Sequence, residues 1–205
     1  MGTPAKGVLL TGPPGIGKTT LVMRVLESLR ASKPNLKVQG FYTHGNYQLL
    51  MASGNHIGEI RQGTERVGFE VVTLDGRRES LASTSVSAGT ARWPSVGKYK
   101  VDVASFEFLA LPELEVREGT ELFIIDEVGR MELFSSSFFP AVLEVLKTNI
   151  PILATIPIPK FGRDIPEVAR LRNHPGAEVY TLNSSNRDNI REQISTQLLN
   201  MLNIR

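Results

Sequence analysis

Cysteine is absent from the 205-residue chain. Disulfide scaffolds, thiol nucleophiles and cysteine-held zinc are therefore excluded together. A dominant charge is missing too: 23 Lys and Arg face 21 Asp and Glu, a net charge of +2. The sequence pI is near 9.0, but two excess charges do not make a field that holds a polyanion, so no nucleic-acid partner is expected. No apolar run approaches the ~20 residues of a membrane span, and no membrane partner is expected. The first apolar run, Val8-Leu9-Leu10, is too short for a signal-peptide core and leads straight into a glycine-rich loop. The expectation is a soluble, monomeric, cytoplasmic chain, with nuclear or organellar residence left open. Internal repeats and linkers between independent cores are also lacking. At ~150 residues per domain the length is about 1.4 domains, so the expectation is one domain, 1–205, with elaborations.

What is present is an alternation of strand-like and helix-like stretches, which predicts an α/β fold. Gly7 to Thr11 reads as a short buried strand, and Lys18 to Arg30 as a helix with Leu21, Val22, Val25, Leu26 and Leu29 on one face. Lys37 to Tyr42 is a second strand. Gly68 to Leu74, followed by Asp75-Gly76, predicts the first arm of a hairpin. Leu81 to Ala91, uncharged and rich in Ser, Thr and Ala, predicts a mobile loop. Tyr99, Val101 and Val103 alternate with charged residues, as in a half-exposed strand. Leu122 to Ile125 and Ile152 to Ile156 are continuous apolar runs suited to central parallel strands. Ser135 to Ser137 and Pro140 predict the start of a helix buried through Val142, Val145 and Leu146. Glu178 to Leu182 predicts the last strand, and Arg187 to Leu202 an amphipathic closing helix.

Gly12-Pro13-Pro14-Gly15-Ile16-Gly17-Lys18-Thr19 matches GxxxxGK[ST] between a strand and a helix, as a phosphate-binding loop requires. The glycines allow successive N–H groups to face inward as an anion nest, and the helix N-terminus adds partial positive charge. Lys18 is placed to reach β- and γ-phosphate oxygens, and the Thr19 hydroxyl to ligate Mg²⁺. Thr20 completes the run.

Leu122-Phe123-Ile124-Ile125-Asp126-Glu127 supplies the second element, a buried strand ending in two acids. Asp126 is expected to hold Mg²⁺, directly or through water, because that ion takes few carboxylates besides phosphates and water. Glu127 is expected to orient or deprotonate the attacking water. Asp126-Glu127-Val128-Gly129 also fits the DxxG loop of switch GTPases, but no guanine-reading NKxD follows, which favours hydrolysis through Glu127. An added cation on the transition state could come from Arg130, Arg163, Arg170, Arg172 or Arg187. His44, His56 and His174 have no metal-ligand spacing, and Trp93, Phe138 and Phe139 read as packing residues.

GPPGIGKTT at Gly12 to Thr20, GFYT at Gly40 to Thr43, RVGFEVVTL at Arg66 to Leu74, VGKYKVD at Val96 to Asp102, FIIDEVGRMELF at Phe123 to Phe134, Thr155-Ile156-Pro157 and Asn186-Arg187-Asp188 occur in this order. The chain thereby resembles, over nearly its whole length, the nucleoside-triphosphatase family typified by cancer-related nucleoside-triphosphatase and its archaeal and thermophilic bacterial relatives. The resemblance implies a RecA-like P-loop domain, with a mainly parallel sheet flanked by helices and an added antiparallel hairpin. It implies Mg²⁺-dependent hydrolysis of several nucleoside triphosphates to diphosphate and phosphate with little base selectivity. By position, Gly12 to Thr20, Asp126, Glu127, Gly129, Arg130 and Arg187 would meet the nucleotide. Arg130 stands where Lys is usual, which keeps the charge and alters the donor geometry. The larger departure is an uncharged stretch within His44 to Gly58, read as an inserted loop from Gly45, Gly54 and Gly58 and costing little closure entropy. Two rival functions share the same phosphate site: a small-molecule kinase, whose lid would have to draw on Arg77, Arg78 and Arg92, and a nucleotide-dependent binding module.

Overall fold

The computed structural model describes residues 6–50, 63–85 and 92–203. Among the described residues nine strands form a single sheet: β1 (Gly7–Gly12), β2 (Val38–Leu50), β3 (Gly63–Thr73), β4 (Arg78–Ser83), β5 (Ser95–Val96), β6 (Tyr99–Val101), β7 (Leu122–Asp126), β8 (Ile152–Pro157) and β9 (Ala177–Thr181). Their order is β5-β6-β4-β3-β2-β7-β8-β1-β9. The block β2-β7-β8-β1-β9 is parallel, and β3, β4, β6 and β5 add to its β2 edge as an antiparallel wing. This is the expected parallel core with added hairpin strands.

The apolar runs explain the block. β1 and β7 are buried along their whole length and β8 to its last residue but one, as strands covered on both faces must be. Helices α1 (Lys18–Ser32) and α5 (Arg187–Asn203) cover one face, packing Val22, Leu26, Leu29, Ile194 and Leu198 against Val8, Leu10 and Ile124. Helices α2 (Val103–Ala110), α3 (Phe138–Lys147) and α4 (Pro166–Arg172) cover the other. There Phe41, Phe106 and Phe138 meet edge-on or tilted, with centroids 5.2–6.0 Å apart. Gly40 sits at φ 122 in β2, where a Cβ would lie 1.8 Å from the Ile124 carbonyl oxygen. Gly40→Ala should therefore cost at least about 2 kcal/mol, read as a lower urea midpoint. An unchanged midpoint would contradict this close approach of β2 to β7.

Three expectations need correction. Leu81 to Ser83 is not loop: it ends β4, with Leu81 and Ala82 buried, because the wing's second strand needs those side chains for its core face. Residues 86–91 of that stretch lie outside the described residues. The uncharged stretch expected as an inserted loop begins as strand, since His44 to Leu50 continues β2 against Gly63 to Glu70 of β3 with a bulge at Asn46/Tyr47; residues 51–58 lie outside the described residues. The third concerns Val103, which opens α2 and does not extend the strand at Tyr99. The Asp102 carboxylate accepts from the Ser105 N–H at 3.0 Å and from its hydroxyl at 2.9 Å, turning the chain into a helix.

Strand lengths then position the site. Tyr42 pairs with Asp126 at the end of β7, and β2 runs on to Leu50, about 27 Å further at ~3.4 Å per residue. The β2–β3 ribbon thus rises beside the carboxyl ends of β7, β8 and β1, where open α/β sheets bind their ligands.

Candidate active site

β1 enters a loop in which Gly15 (φ 75) and Gly17 (φ 98) adopt left-handed conformations closed to most side chains. Gly17 precedes α1 directly, and its carbonyl accepts from the Leu21 N–H at 3.0 Å. The first amides of α1 therefore have no partner within the helix and face the loop's concave side, an anion nest. A Cβ on Gly12 would lie 2.8 Å from the Leu182 carbonyl oxygen, so close packing with the end of β9 demands glycine there.

Lys18 folds back over this nest. Its ammonium lies 3.4 Å from the Gly12 carbonyl oxygen and 3.6 Å from Glu127 Oε2. Asp126, at the end of β7, is buried, and the Thr155 hydroxyl on β8 donates to its Oδ1. Burial pushes the Asp126 carboxyl up to about 6; the Thr155 and Thr19 hydroxyls oppose the shift, the Glu127 charge adds to it and Lys18 opposes it. Its Oδ2 is buried without a hydrogen-bond partner, as is the Thr11 hydroxyl.

That orphaned oxygen bears on the metal. Among the described residues no group of three or more His, Asp or Glu side chains could hold a metal ion. A hard divalent cation that keeps phosphate and water ligands needs no such cage. The Asp126 carboxylate, with an unused buried oxygen and the Thr19 hydroxyl close enough to favour its charged form, fits that donor chemistry.

Glu132 is a residue the sequence reading missed. It is 3% exposed in the short 3₁₀ turn Glu132–Phe134. A Cβ on Gly129 would lie 2.6 Å from Glu127 Oε1 and 3.0 Å from Glu132 Oε2, so both carboxyl groups come together beside Gly129, and a side chain there would have to displace them. Burial and then the Glu127 charge push the Glu132 carboxyl well up from the ordinary range, with backbone amides pulling against them. The available signal was an acid five residues after Glu127 on the same turn.

A cavity of about 550 Å³ opens onto the loop, lined by Gly12, Pro14, Gly15, Gly17, Lys18, Thr19 and Thr20 on one side and by Glu127, Arg130 and Glu132 beyond. Pro13 and Ile16 do not line it, nor does Arg187, which lies exposed at the start of α5 past the end of β9. Of the candidate cations, Arg130 and Arg163 face the cavity. Arg170 lies over the Phe139 ring at 6.0 Å. Arg172 is committed to Asp164 Oδ2 at 3.0 Å and the Pro157 carbonyl oxygen at 2.9 Å. Arg77 and Arg78 form no lid: they flank the far β3–β4 turn, paired with Asp75, Glu113 and Glu70.

The chain is similar to known proteins over nearly its whole length. A family model described as NTPase matches residues 7–195. The human cancer-related nucleoside-triphosphatase is 40% identical over 199 residues, covering 94% of this chain and 96% of its own. Nucleoside-triphosphatase THEP1 of Thermofilum pendens is 37% identical, covering 97% and 98%. Two solved structures superpose with TM-score 0.72: THEP1 from Aquifex aeolicus, 34% identical over 94% of this chain and 98% of its own, and a human cancer-related nucleoside triphosphatase, 39% identical over 95% and 97%.

Proposed function

The chain belongs to this NTPase family, and from that premise we propose that it is a Mg²⁺-dependent enzyme hydrolysing nucleoside triphosphates to diphosphate and phosphate with little regard for the base. The observation that carries the reading is Lys18 at 3.6 Å from Glu127 at the mouth of the glycine loop, beside the buried Asp126. The nest and the first turn of α1 bind the phosphates, and the Lys18 ammonium neutralises their terminal charge. Thr19 and Asp126 would hold Mg²⁺, which when bound neutralises charge on the β- and γ-phosphate oxygens. Glu127 orients the attacking water and takes its proton as the water oxygen bonds to the γ-phosphorus and the β,γ-bridging bond breaks. Glu132, whose ionisation is disfavoured by burial and by its neighbour, leaves the negative charge of this corner to Glu127. Arg130 and Arg163 are the cavity's candidate cations for the transition state.

Backbone amides and a lysine grip what every nucleoside triphosphate has in common, which supports low base selectivity. Phosphate release from ATP, GTP, CTP and UTP should agree within about tenfold and stop when Mg²⁺ is chelated. Turnover confined to one base, or surviving chelation, would refute this. Lys18→Ala should weaken triphosphate binding by at least about tenfold in equilibrium titration, the loss of a charge-assisted contact. Unaltered affinity would remove Lys18 from the site.

A further inference from the structure

The cavity does not stop at Glu127. The sheet order runs β1-β8-β7-β2-β3-β4, so Glu127, at the end of β7, stands between the glycine loop and the antiparallel wing. The same cavity is also lined by Phe69, Leu81 and Val96 from the wing and by Met131 and Ile165, alongside polar residues that include Lys160 and Arg163. The Arg66 guanidinium lies over the Phe69 ring at 5.1 Å, and both line the cavity. Neither a phosphate chain nor a water nucleophile has use for such a wall, since apolar and aromatic lining stabilises an apolar body and a guanidinium beside it an anionic group. Nor does the nucleoside end of the substrate account for it. Lys18 and Glu127 mark the terminal phosphate, and the wing lies on the side of Glu127 away from the loop.

We propose that this outer lobe is an acceptor subsite for a small hydroxyl compound with a planar apolar body and an anionic substituent, to which the enzyme transfers the γ-phosphoryl group. The inference rests on the nucleotide site proposed above. The acceptor's hydroxyl oxygen forms a bond to the γ-phosphorus and the bond to the β,γ-bridging oxygen breaks. The nucleoside diphosphate leaves, and the hydroxyl proton passes to the Glu127 carboxylate and then to solvent. A carboxylate base at this point suits a hydroxyl acceptor. A phosphate acceptor carries no proton that must be removed and would meet the Glu127 carboxylate at close range.

ATP esterified on its γ-phosphate with a 4-carboxybenzyl group tests the lobe directly. With Mg²⁺ present it should bind the full chain at least tenfold more tightly than ATP, about 1.4 kcal/mol. Weaker binding than ATP would overturn the inference, because the lobe would then not open onto the γ-phosphate. In parallel, γ-³²P-labelled ATP with 4-(hydroxymethyl)benzoate should yield a labelled organic phosphate ester, and with benzoate only inorganic phosphate. Tight binding of the esterified ATP with no labelled ester would overturn the transfer. Phe69→Ala should lower the ratio of ester to phosphate about fivefold, and an unchanged ratio would remove the wing from acceptor binding. Failure to bind ATP or release phosphate at all would instead refute the nucleotide site, so the two failures are distinguishable.

Discussion

Glu127→Gln should bind Mg²⁺ and nucleoside triphosphate with affinity close to the parent's and release phosphate about 10²–10⁴ times more slowly, the range for loss of a positioned general base. The amide keeps the size of the carboxyl group and can still hydrogen-bond a water, but it cannot take a proton. The anion nest is built from backbone amides and a helix terminus, which the substitution does not touch. Lys18 loses the partner at 3.6 Å, and an unpaired ammonium facing phosphates should if anything tighten binding. The signature is thus a split between a lost kcat and a retained Kd, measured by phosphate release and by equilibrium titration. Parent-like turnover would remove Glu127 as base. A joint loss of binding and turnover would mean that Glu127 acts through the fold of the loop.

What the sequence made legible was whatever lies in one contiguous run. The phosphate loop reads directly because strand, glycines, lysine and helix follow each other within Gly7 to Ser32. Asp126 and Glu127 read nearly as well, since a fully apolar strand ending in acids has few other uses. Glu132 did not, because its importance comes from burial and from its approach to Glu127 across Gly129, neither of which a linear spacing displays. Arg187 was put with the nucleotide by its place in a family motif alone, and no local pattern around it says which wall of a site it would line; it stands at the start of α5, outside the cavity lining. Leu81 was lost to the polar composition around it: two buried residues, Leu81 and Ala82, hold a strand that seven Ser, Thr and Ala neighbours disguise. The uncharged stretch after Thr43 misled in the same way. Its glycines suggested a loop, yet backbone pairing with β3 carries the strand through Gly45.

The second large effect concerns Asp126, where the requirements of stability and chemistry oppose each other. Its carboxyl has a folded-state value of about 6 against an ordinary 3.8, mainly because it is buried. Between these values the folded chain holds a proton that the unfolded chain has released, so stability falls as pH rises from about 4 to 6 and stays low above that. The difference of roughly two pH units corresponds to about 3 kcal/mol at neutral pH for the protein without nucleotide and metal. Asp126→Asn cannot ionise and keeps an oxygen to accept from Thr155. It should therefore raise the melting temperature at pH 7–8 by roughly 6–12 °C, at 2–4 °C per kcal/mol for a chain of this size. It should change little at pH 4, where the parent carboxyl is already protonated. Glu132 is shifted in the same direction, so a fall in stability at higher pH should persist in the variant, and the two acids should not contribute additively. Turnover should drop at least about 100-fold, because an amide is a poor ligand for a hard cation. In the parent, Mg²⁺ with a non-hydrolysable triphosphate should recover much of the lost stability, since the cation supplies the charge that burial withholds. That recovery should be largely absent in Asp126→Asn. If the variant is no more stable than the parent at pH 8, the buried carboxylate is not the source of the pH dependence. If it keeps full turnover, Asp126 does not hold the cation.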